Sequence, residues 1–216
     1  MSETVKLAIF DHDGVLVDSY ALHEEAWLEL GRRRGLPLTR EFVHRTFGMT
    51  NPMIFHELFQ EDLDPLLVNE WGFVKEECYR DIARGRIDLM SGVRELLDRL
   101  QADGWLLAIG SSGPRANLEL TIDECGLEGR FTTIVGLEDI ARGKPDPEVF
   151  LKAAQRSNAT PARSVVFEDA LVGIQAAKAA GMKAIGVGTT HPIEKLIEAG
   201  ADWAVDTLNG FDSPLF

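Results

Sequence analysis

Short apolar runs alternate with segments of helical period along this chain, and this alternation limits the possible folds more than any other feature. Residues 5–10 form a first apolar run, and further runs of strand-forming residues follow at 106–109, 132–135, 165–167 and 184–187. Between the later runs, apolar residues recur at helical spacing. Strands that alternate with helices form parallel βαβ units, so the sequence predicts an α/β fold with a doubly wound parallel sheet.

One part of the chain departs from this alternation. Residues 19–34 have helical period, and residues 39–85 contain helical segments only, with no convincing strand. The sequence therefore predicts an α-helical cap domain, residues 19–88, inserted after the first strand of a Rossmann-like core. The core domain would then comprise residues 1–18 and 89–216, which is long enough for one sizeable α/β core.

Composition and charge argue against several classes of partner. The net charge of −13 disfavours nucleic acid and anionic membranes, which bind basic surfaces, although local cations still allow a small anionic substrate. No apolar stretch is long enough for a membrane helix, and no targeting segment is expected at the N-terminus. The two cysteines, Cys78 and Cys125, favour free thiols in a reducing cytoplasm over a disulfide framework.

Two carboxylates follow the first apolar run directly. Asp11 and Asp13 stand one residue apart at the carboxyl end of the predicted strand, and Gly14 permits a sharp turn after them. Ligands of open α/β sheets bind at this end of the strands. From the residues alone, the pair is compatible with three roles: holding a divalent cation, serving as nucleophile and proton donor, or capping a helix.

Three further polar clusters follow later in the chain. Ser111-Ser112 and Glu168-Asp169 come directly after predicted strands, and Lys144 lies in a proline-containing turn before a predicted helix. Each cluster alone also fits an ordinary loop, turn or helix cap. If the clusters meet at one sheet edge, their carboxylates suit Mg²⁺, and their hydroxyl and ammonium groups suit a phosphoryl group.

Four segments that contain these residues resemble the four motifs of the haloacid dehalogenase superfamily of phosphotransferases. The resemblance extends over nearly the whole chain. It is closest to the branch of β-phosphoglucomutase and the sugar phosphatases, in which a helical cap follows the first motif. The segments are Asp11-His12-Asp13-Gly14-Val15-Leu16-Val17-Asp18-Ser19, Ser111-Ser112, Gly143-Lys144-Pro145-Asp146-Pro147 and Glu168-Asp169-Ala170-Leu171-Val172-Gly173.

The resemblance implies a role for each motif residue. Asp11 would be the nucleophile that forms an aspartyl-phosphate, and Asp13 would act first as general acid and then as general base. Mg²⁺ would be held by the Asp11 side chain, the Asp13 backbone carbonyl and Asp169, while Glu168 would be a ligand or a partner of the ligands. The residues that would hold the phosphoryl oxygens are Ser111, Ser112 and Lys144.

Other positions bear on the substrate. By the resemblance, His23 would belong to the apparatus that closes the cap. Phe47 and Asn51 stand where the mutase has a lysine and an arginine for its second phosphate, which favours a phosphatase over a mutase. Arg115 and Asn117 are candidates for binding a distal anionic group, although they equally fit exposed positions in the first turn of a helix.

Together these features predict a Mg²⁺-dependent phosphatase that hydrolyses a small phosphate monoester, a sugar phosphate in particular. The alternative is phosphoryl transfer of the β-phosphoglucomutase type. A non-catalytic protein that binds a phosphorylated ligand is disfavoured because every motif residue is present. The resemblance also leads us to expect a monomer or weak oligomer. His12 takes a position that is usually apolar in the family, and we expect it to point away from the metal, with no assigned role.

Overall fold

The computed structural model describes residues 5–46 and 49–212. Contacts divide the chain into two compact units. The core unit comprises the residues up to Asp18 together with those from Ile87 onward, and the helical unit comprises Ser19–Arg86.

All strands of the described core unit lie in one parallel sheet. Its order is β3-β2-β1-β4-β5-β6, so the first strand is central and the chain winds outward from it in both directions. This arrangement confirms the predicted doubly wound α/β fold. The strands are β1 (Leu7–Phe10), β2 (Leu106–Gly110), β3 (Thr133–Val135), β4 (Ser164–Glu168), β5 (Lys183–Val187) and β6 (Trp203–Val205).

The helical unit contains the first four helices of the described chain. Its core is aromatic: the Trp27 and Phe55 rings lie 5.8 Å apart, and Trp71 lies 5.2 Å from Phe55. The Asp64 carboxylate caps the longest helix by accepting a hydrogen bond from the Leu66 N–H at 2.8 Å. The helices are α1 (Tyr20–Arg34), α2 (Arg40–Thr46), α3 (Asn51–Phe59) and α4 (Pro65–Ala83).

The helices of the core unit cover the sheet and explain why its strands are mostly apolar. Leu7 and Ile9 of β1 belong to an apolar cluster with side chains of three of these helices. On the other face, the ring of Phe10 stacks on Phe167 at 4.7 Å. A parallel sheet covered on both faces has nearly continuous hydrophobic strands, as observed here. The helices are α5 (Val93–Ala102), α6 (Arg115–Glu124), α7 (Glu148–Arg156), α8 (Leu171–Ala179) and α9 (Ile193–Glu198).

Two further results bear on the sequence-based predictions. The pattern did not reveal β6, because its three apolar residues stand alone between Asp202 and Asp206 and do not form a longer apolar run. Among the described residues, no helix combines the length and the apolar character that are needed to cross a membrane.

Candidate active site

The sheet topology brings the polar residues that follow β1, β2 and β4 to one edge. The chain leaves β1 in a fixed direction because the Asp11 N–H donates a hydrogen bond to the Phe167 carbonyl at 3.0 Å. Likewise, the Ser111 N–H donates to the Val135 carbonyl at 3.0 Å. Backbone hydrogen bonds to the neighbouring strand thus position Asp11 and Ser111, and this positioning does not depend on a ligand.

Lys144 reaches the same edge from the loop that precedes α7. Its ammonium donates hydrogen bonds to Asp11 Oδ1 at 2.7 Å and to Glu168 Oε1 at 2.5 Å. The Lys144 side chain is only 7% exposed and Glu168 is fully buried. A charged lysine is rarely buried without partners, and here two carboxylates supply them.

Three buried carboxylates surround this ammonium. Asp11, Glu168 and Asp169 each offer an oxygen, and these oxygens lie within 4.8 Å of one another. We call these three residues and Lys144 the acidic edge. Hard cations prefer carboxylate oxygens, so the donor set fits a divalent metal ion.

The acidic edge carries more negative than positive charge, and the pKa values reflect this. Burial, assisted by the charges of Glu168 and Asp13, raises the pKa of Asp11 to about 7 against the opposing effect of Lys144. Burial, assisted by the charges of Glu168 and Asp11, raises the pKa of Asp169 as well. Burial disfavours the Lys144 ammonium, but Asp11 and Glu168 outweigh it and raise the Lys144 pKa above its ordinary value.

Two glycines leave room for the carboxylates of Glu168, the last residue of β4, and of Asp169, which follows it. Gly14 has a φ of 74°, and a Cβ on it would come within 2.1 Å of Asp169 Oδ2. A Cβ on Gly173 would lie 1.8 Å from Glu168 Oε1. Real Cβ atoms do not approach oxygen so closely, so both positions require glycine as long as the carboxylates keep this arrangement.

The loop after β5 contributes two residues that the sequence analysis did not identify. The Thr190 hydroxyl donates to Asp169 Oδ2, and the Thr189 hydroxyl donates to the Gly14 carbonyl at 2.6 Å. These hydroxyls fix the orientation of Asp169 and the turn that follows Asp13. Two adjacent threonines in a loop form no recognisable motif. Their position just after β5, however, would have indicated that they lie at the same edge of the sheet as the other site residues.

The Asp13 carboxylate stands apart from the three buried carboxylates. Its side chain is one-third exposed, and its Oδ1 lies 3.1 Å from Nδ1 of His12. His12 itself is 1% exposed, and its Nε2 lies 2.7 Å from Thr121 Oγ1. The residue to which the sequence assigned no role therefore lies between the candidate acid/base and α6.

The two serines after β2 have different environments. Ser111 is buried, and its hydroxyl oxygen accepts a hydrogen bond from the Gly113 N–H at 3.0 Å. Ser112 is exposed. Both lie at the carboxyl end of β2, where the sequence predicted them.

The two candidates for binding a distal anionic group, Arg115 and Asn117, both lie in the first turn of α6. The Arg115 guanidinium donates to Asp139 Oδ2 at 2.8 Å and to the Ile134 carbonyl at 2.9 Å. Asn117 is 3% exposed. Because Asp139 already neutralises Arg115, the arginine is a structural partner in this conformation rather than an available cation.

Asp139 is the centre of a second polar cluster, which we call the Asp139 cluster. Besides Arg115, its carboxylate is paired with Arg156 at 2.9 Å and accepts a hydrogen bond from the Gly136 N–H at 2.9 Å. Burial opposes ionisation, but these three donors prevail and lower the pKa of Asp139 to about 2. The cluster holds the loop between β3 and Lys144.

The remaining predicted residues belong to the helical unit. His23 lies in α1, with its Nδ1 2.7 Å from Nζ of Lys75 and its ring stacked on Tyr79 at 4.1 Å. The sequence analysis missed Lys75, which is buried in the middle of α4. Asn51 begins α3, with its amide nitrogen packed against Gly72. The predicted specificity residue Phe47 lies outside the described residues.

Comparison with known proteins identifies the family. Residues 8–187 match the model of the family described as haloacid dehalogenase-like hydrolase, and the chain belongs to this family. A crystal structure of an HAD hydrolase of family IA, variant 3, from Entamoeba histolytica superposes with a TM-score of 0.86 at 26% identity, covering 96% of each chain. The predicted family and class of enzyme are thereby confirmed.

Two curated relatives have names that describe a reaction. The chloroplastic 5-amino-6-(5-phospho-D-ribitylamino)uracil phosphatase of Arabidopsis thaliana is 35% identical over 88% of this chain, which spans about half (51%) of that protein. A β-phosphoglucomutase of Bacillus subtilis is 30% identical over 93% of this chain and 89% of its own length. This chain is thus similar both to a phosphatase and to a mutase.

Proposed function

We propose that this chain is a Mg²⁺-dependent phosphatase that hydrolyses a small phosphate monoester, with a sugar phosphate as its substrate class. The arrangement that carries this proposal is the acidic edge, where Lys144 contacts the candidate nucleophile Asp11 at 2.7 Å and Asp11 converges with two further carboxylates, Glu168 and Asp169. Phosphoryl transfer demands positive charge around the phosphate, because a carboxylate and a phosphate dianion repel each other. An ammonium and a hard cation would supply that charge.

The residues of the acidic edge fit the metal. Asp11 and Asp169, with the backbone carbonyl of Asp13, would hold Mg²⁺, and Glu168 would act through Lys144 or as a further ligand. Burial and the neighbouring carboxylates raise the pKa of Asp11 to about 7, and a cation at this edge would favour its ionised form. When bound, a divalent cation neutralises phosphoryl oxygens and stabilises the charge that develops on them.

In the first step, the Asp11 carboxylate attacks phosphorus. A bond forms between an Asp11 oxygen and phosphorus as the bond to the ester oxygen breaks, and Asp13 donates its proton to that leaving oxygen. Lys144, the Ser111 hydroxyl and the Ser112 N–H would hold the phosphoryl oxygens. The products are an alcohol and an aspartyl-phosphate.

In the second step, water attacks the aspartyl-phosphate. The Asp13 carboxylate removes a proton from the water as its oxygen bonds to phosphorus. The bond between phosphorus and the Asp11 oxygen then breaks, which releases inorganic phosphate and regenerates both aspartates. The one-third exposure of the Asp13 side chain supports this role, because the group must reach an incoming molecule.

The substrate class is supported by the two named relatives, since one name contains a phosphorylated ribityl chain and the other a phosphorylated glucose. The Phe47 and Asn51 positions favour hydrolysis over transfer to a second hydroxyl, because they lack the cations expected for a bisphosphate. That the helical unit sets substrate preference, through His23 and its neighbours, stays a prediction from the resemblance.

A substrate panel tests the proposal. Purified protein is mixed with sugar phosphates and p-nitrophenyl phosphate, in Mg²⁺ and in chelator, and released phosphate is measured. We expect Mg²⁺-dependent release that Asp11→Asn reduces by about 10³-fold or more, since the nucleophile is lost. Asp146→Asn, which changes an acid in the Lys144 loop, is the matched control.

Four results would contradict the proposal. Full activity in chelator would exclude the metal dependence, and normal turnover by Asp11→Asn would exclude the nucleophile. Conversion of β-glucose 1-phosphate to the 6-phosphate, stimulated by the bisphosphate and faster than hydrolysis, would establish the mutase instead. If no phosphate were released from any substrate of the panel, a protein that only binds phosphorylated ligands would be favoured.

A further inference from the structure

The buried ammonium of Lys144 has partners of two different kinds. Two carboxylates accept its hydrogen bonds, Asp11 at 2.7 Å and Glu168 at 2.5 Å. In addition, Nζ of Lys144 lies over the ring of Phe150, 5.1 Å from the ring centroid. The negative face of an aromatic ring attracts a cation within about 6 Å of its centroid, and the attraction is strongest where water is excluded. The Lys144 side chain is only 7% exposed, so this condition is met.

The ring of Phe150 is held firmly in this place. Phe150 lies in the first turn of α7, six residues after Lys144, and its N–H donates a hydrogen bond to the Pro147 carbonyl at 3.1 Å. The side chain is fully buried, and a Cβ built on Gly110 would lie only 3.1 Å from the ring Cδ1. The ring therefore packs closely against the end of β2 and has little room to move away from Lys144.

Burial alone does not account for an aromatic residue here. Phe150 belongs to the apolar cluster of Leu7 and Ile9, where a leucine would also bury apolar surface. An ammonium that is buried against aliphatic carbon loses its hydration without compensation, whereas an aromatic face returns part of that energy. Attraction to the cation and simple filling of space therefore predict different responses when the charge distribution of the ring changes at constant shape.

The ring also affects how the ammonium can bind a ligand. A lysine ammonium has three N–H groups, and the two carboxylates account for two of them. The Phe150 side chain contains no oxygen or nitrogen, so it attracts the charge without competing as a hydrogen-bond acceptor. One N–H can thus be given to a phosphoryl oxygen, with which an ammonium forms a strong, charge-assisted hydrogen bond.

We propose that Phe150 is a positioning residue for Lys144. The face of its ring holds the ammonium against the core unit and leaves one N–H for the phosphoryl group. This inference rests on the proposed phosphatase function, because Lys144 is one of the groups proposed to hold the phosphoryl oxygens. Phe150 acts through the position of the Lys144 ammonium and not on the substrate itself.

Fluorination of the ring tests the attraction at nearly constant shape. Fluorine withdraws electron density from the face of the ring, so difluorophenylalanine weakens the negative face and pentafluorophenylalanine reverses it. The chain has 11 phenylalanines, so each analogue is incorporated at position 150 alone through a reassigned stop codon. Phe150→Leu, which is apolar but has no aromatic face, completes the series.

Thermal unfolding measures the attraction without any substrate. Each analogue is placed at position 150 in the wild-type chain and in Lys144→Met, where the cation is missing. We expect pentafluorophenylalanine to lower Tm by about 3 °C more in the wild-type chain than in Lys144→Met. Phe55, a fully buried residue in the helical unit, is the matched control, and the same analogue there should have equal effects in both chains. Equal shifts at position 150 would overturn the proposal.

Steady-state kinetics with glucose 6-phosphate and Mg²⁺ measure the consequence for the reaction. We expect kcat/KM to fall about threefold with difluorophenylalanine and about tenfold with pentafluorophenylalanine or Phe150→Leu. In Lys144→Met the same changes should not lower the residual rate further, whereas a packing role would lower it in both chains. Wild-type kcat/KM in the pentafluorophenylalanine variant would overturn the positioning role.

The two measurements separate this inference from the proposed function. If the wild type released phosphate but position 150 showed no stability coupling to Lys144, this inference alone would be overturned. Absence of hydrolysis by the wild type would overturn the proposed function and, with it, the positioning role, whatever the unfolding data showed.

Discussion

The acidic edge and the Asp139 cluster use the same kinds of residue in opposite proportions. At the acidic edge, three buried carboxylates share the single ammonium of Lys144, and the pKa of Asp11 rises to about 7. In the Asp139 cluster, one carboxylate has two guanidinium groups and a backbone N–H, and its pKa falls to about 2. Both lie in the core unit and each holds part of a loop.

This difference in charge balance distinguishes a candidate binding site from a structural ion-pair cluster. A carboxylate with enough donors is a finished structural interaction that needs no further partner. Carboxylates that are buried with too few cations either become protonated or bind a cation. Perturbed pKa values of this kind cluster at functional sites. The comparison therefore indicates which of the two clusters is built to bind something.

The largest expected effect comes from removing the one ammonium of the acidic edge. Lys144→Met would leave the three carboxylates without an internal cation and the phosphoryl group without its donor. We expect kcat to fall by about 10²-fold or more. We also expect Mg²⁺ to raise the melting temperature more than in wild type, since the ion now neutralises more charge.

Lys152→Met is the matched control, because Lys152 is a lysine of α7 that pairs with Glu148 at 2.7 Å, away from the acidic edge. Initial rates and thermal unfolding with and without Mg²⁺ measure both effects. If Lys144→Met and Lys152→Met had the same kinetics, the acidic edge would be no more than another ion-pair cluster.

A smaller effect is expected from the hydroxyl that orients Asp169. Thr190→Val removes the closer of two hydroxyl donors to Asp169 Oδ2, the other being Thr189 at 3.5 Å, and leaves a residue of the same shape. Groups that orient metal ligands commonly contribute tenfold or more in affinity, so the Mg²⁺ dissociation constant should rise about tenfold. Titration calorimetry measures it, and Thr190→Ser should restore the wild-type value. Unchanged affinity in Thr190→Val would show that Asp169 is oriented by other means.

The smallest effect concerns the Asp139 cluster, where we expect a loss of stability with little loss of activity. Asp139→Asn keeps the shape and removes the charge, which should lower the free energy of unfolding at pH 7 by about 1 kcal/mol after allowance for solvent screening. Denaturant unfolding measures this value, and phosphate release at pH 7 is the control. A large loss of activity with unchanged stability would reverse the assignment of the two clusters.

The pH dependence of this difference follows from the sign of the shift. The folded pKa of Asp139 is about 2, below the ordinary value of 3.8, so its ionisation stabilises the fold above pH 4. This contribution is lost as the pH falls from about 4 towards 2. The stability difference between wild type and Asp139→Asn should therefore shrink over that range, and a constant difference would contradict the argument.

The positions of the motif residues could be predicted because they depend on a simple rule. Asp11, Ser111 and Glu168 each come just after an apolar run, and the carboxyl ends of parallel strands meet at one edge. Alternation of period also predicted the strand and helix order, apart from β6. These features depend on local sequence and on the order of strands and helices, and both can be read from one sequence.

Other features depend on pairings between distant residues, and these could not be predicted. Arg115 was expected to be available for an anion, but Asp139, which follows a different strand, neutralises it. The contact between His12 and Thr121 could not be predicted either, because Thr121 is 109 residues away in the sequence. A pattern shows which side chains reach an edge, but not which of them are already paired.

The glycines beside the acidic edge have a consequence for the thermodynamics of ion binding. Asp169 and Glu168 fill the space that a side chain on Gly14 or Gly173 would need. Both are buried and held in place, Asp169 by the Thr190 hydroxyl and Glu168 by the Lys144 ammonium and the Ala170 N–H. Their rotational entropy is therefore lost when the chain folds rather than when an ion arrives. A cation that enters this edge encounters oxygens already in place, and the entropy change of its binding should be dominated by the water that it sheds.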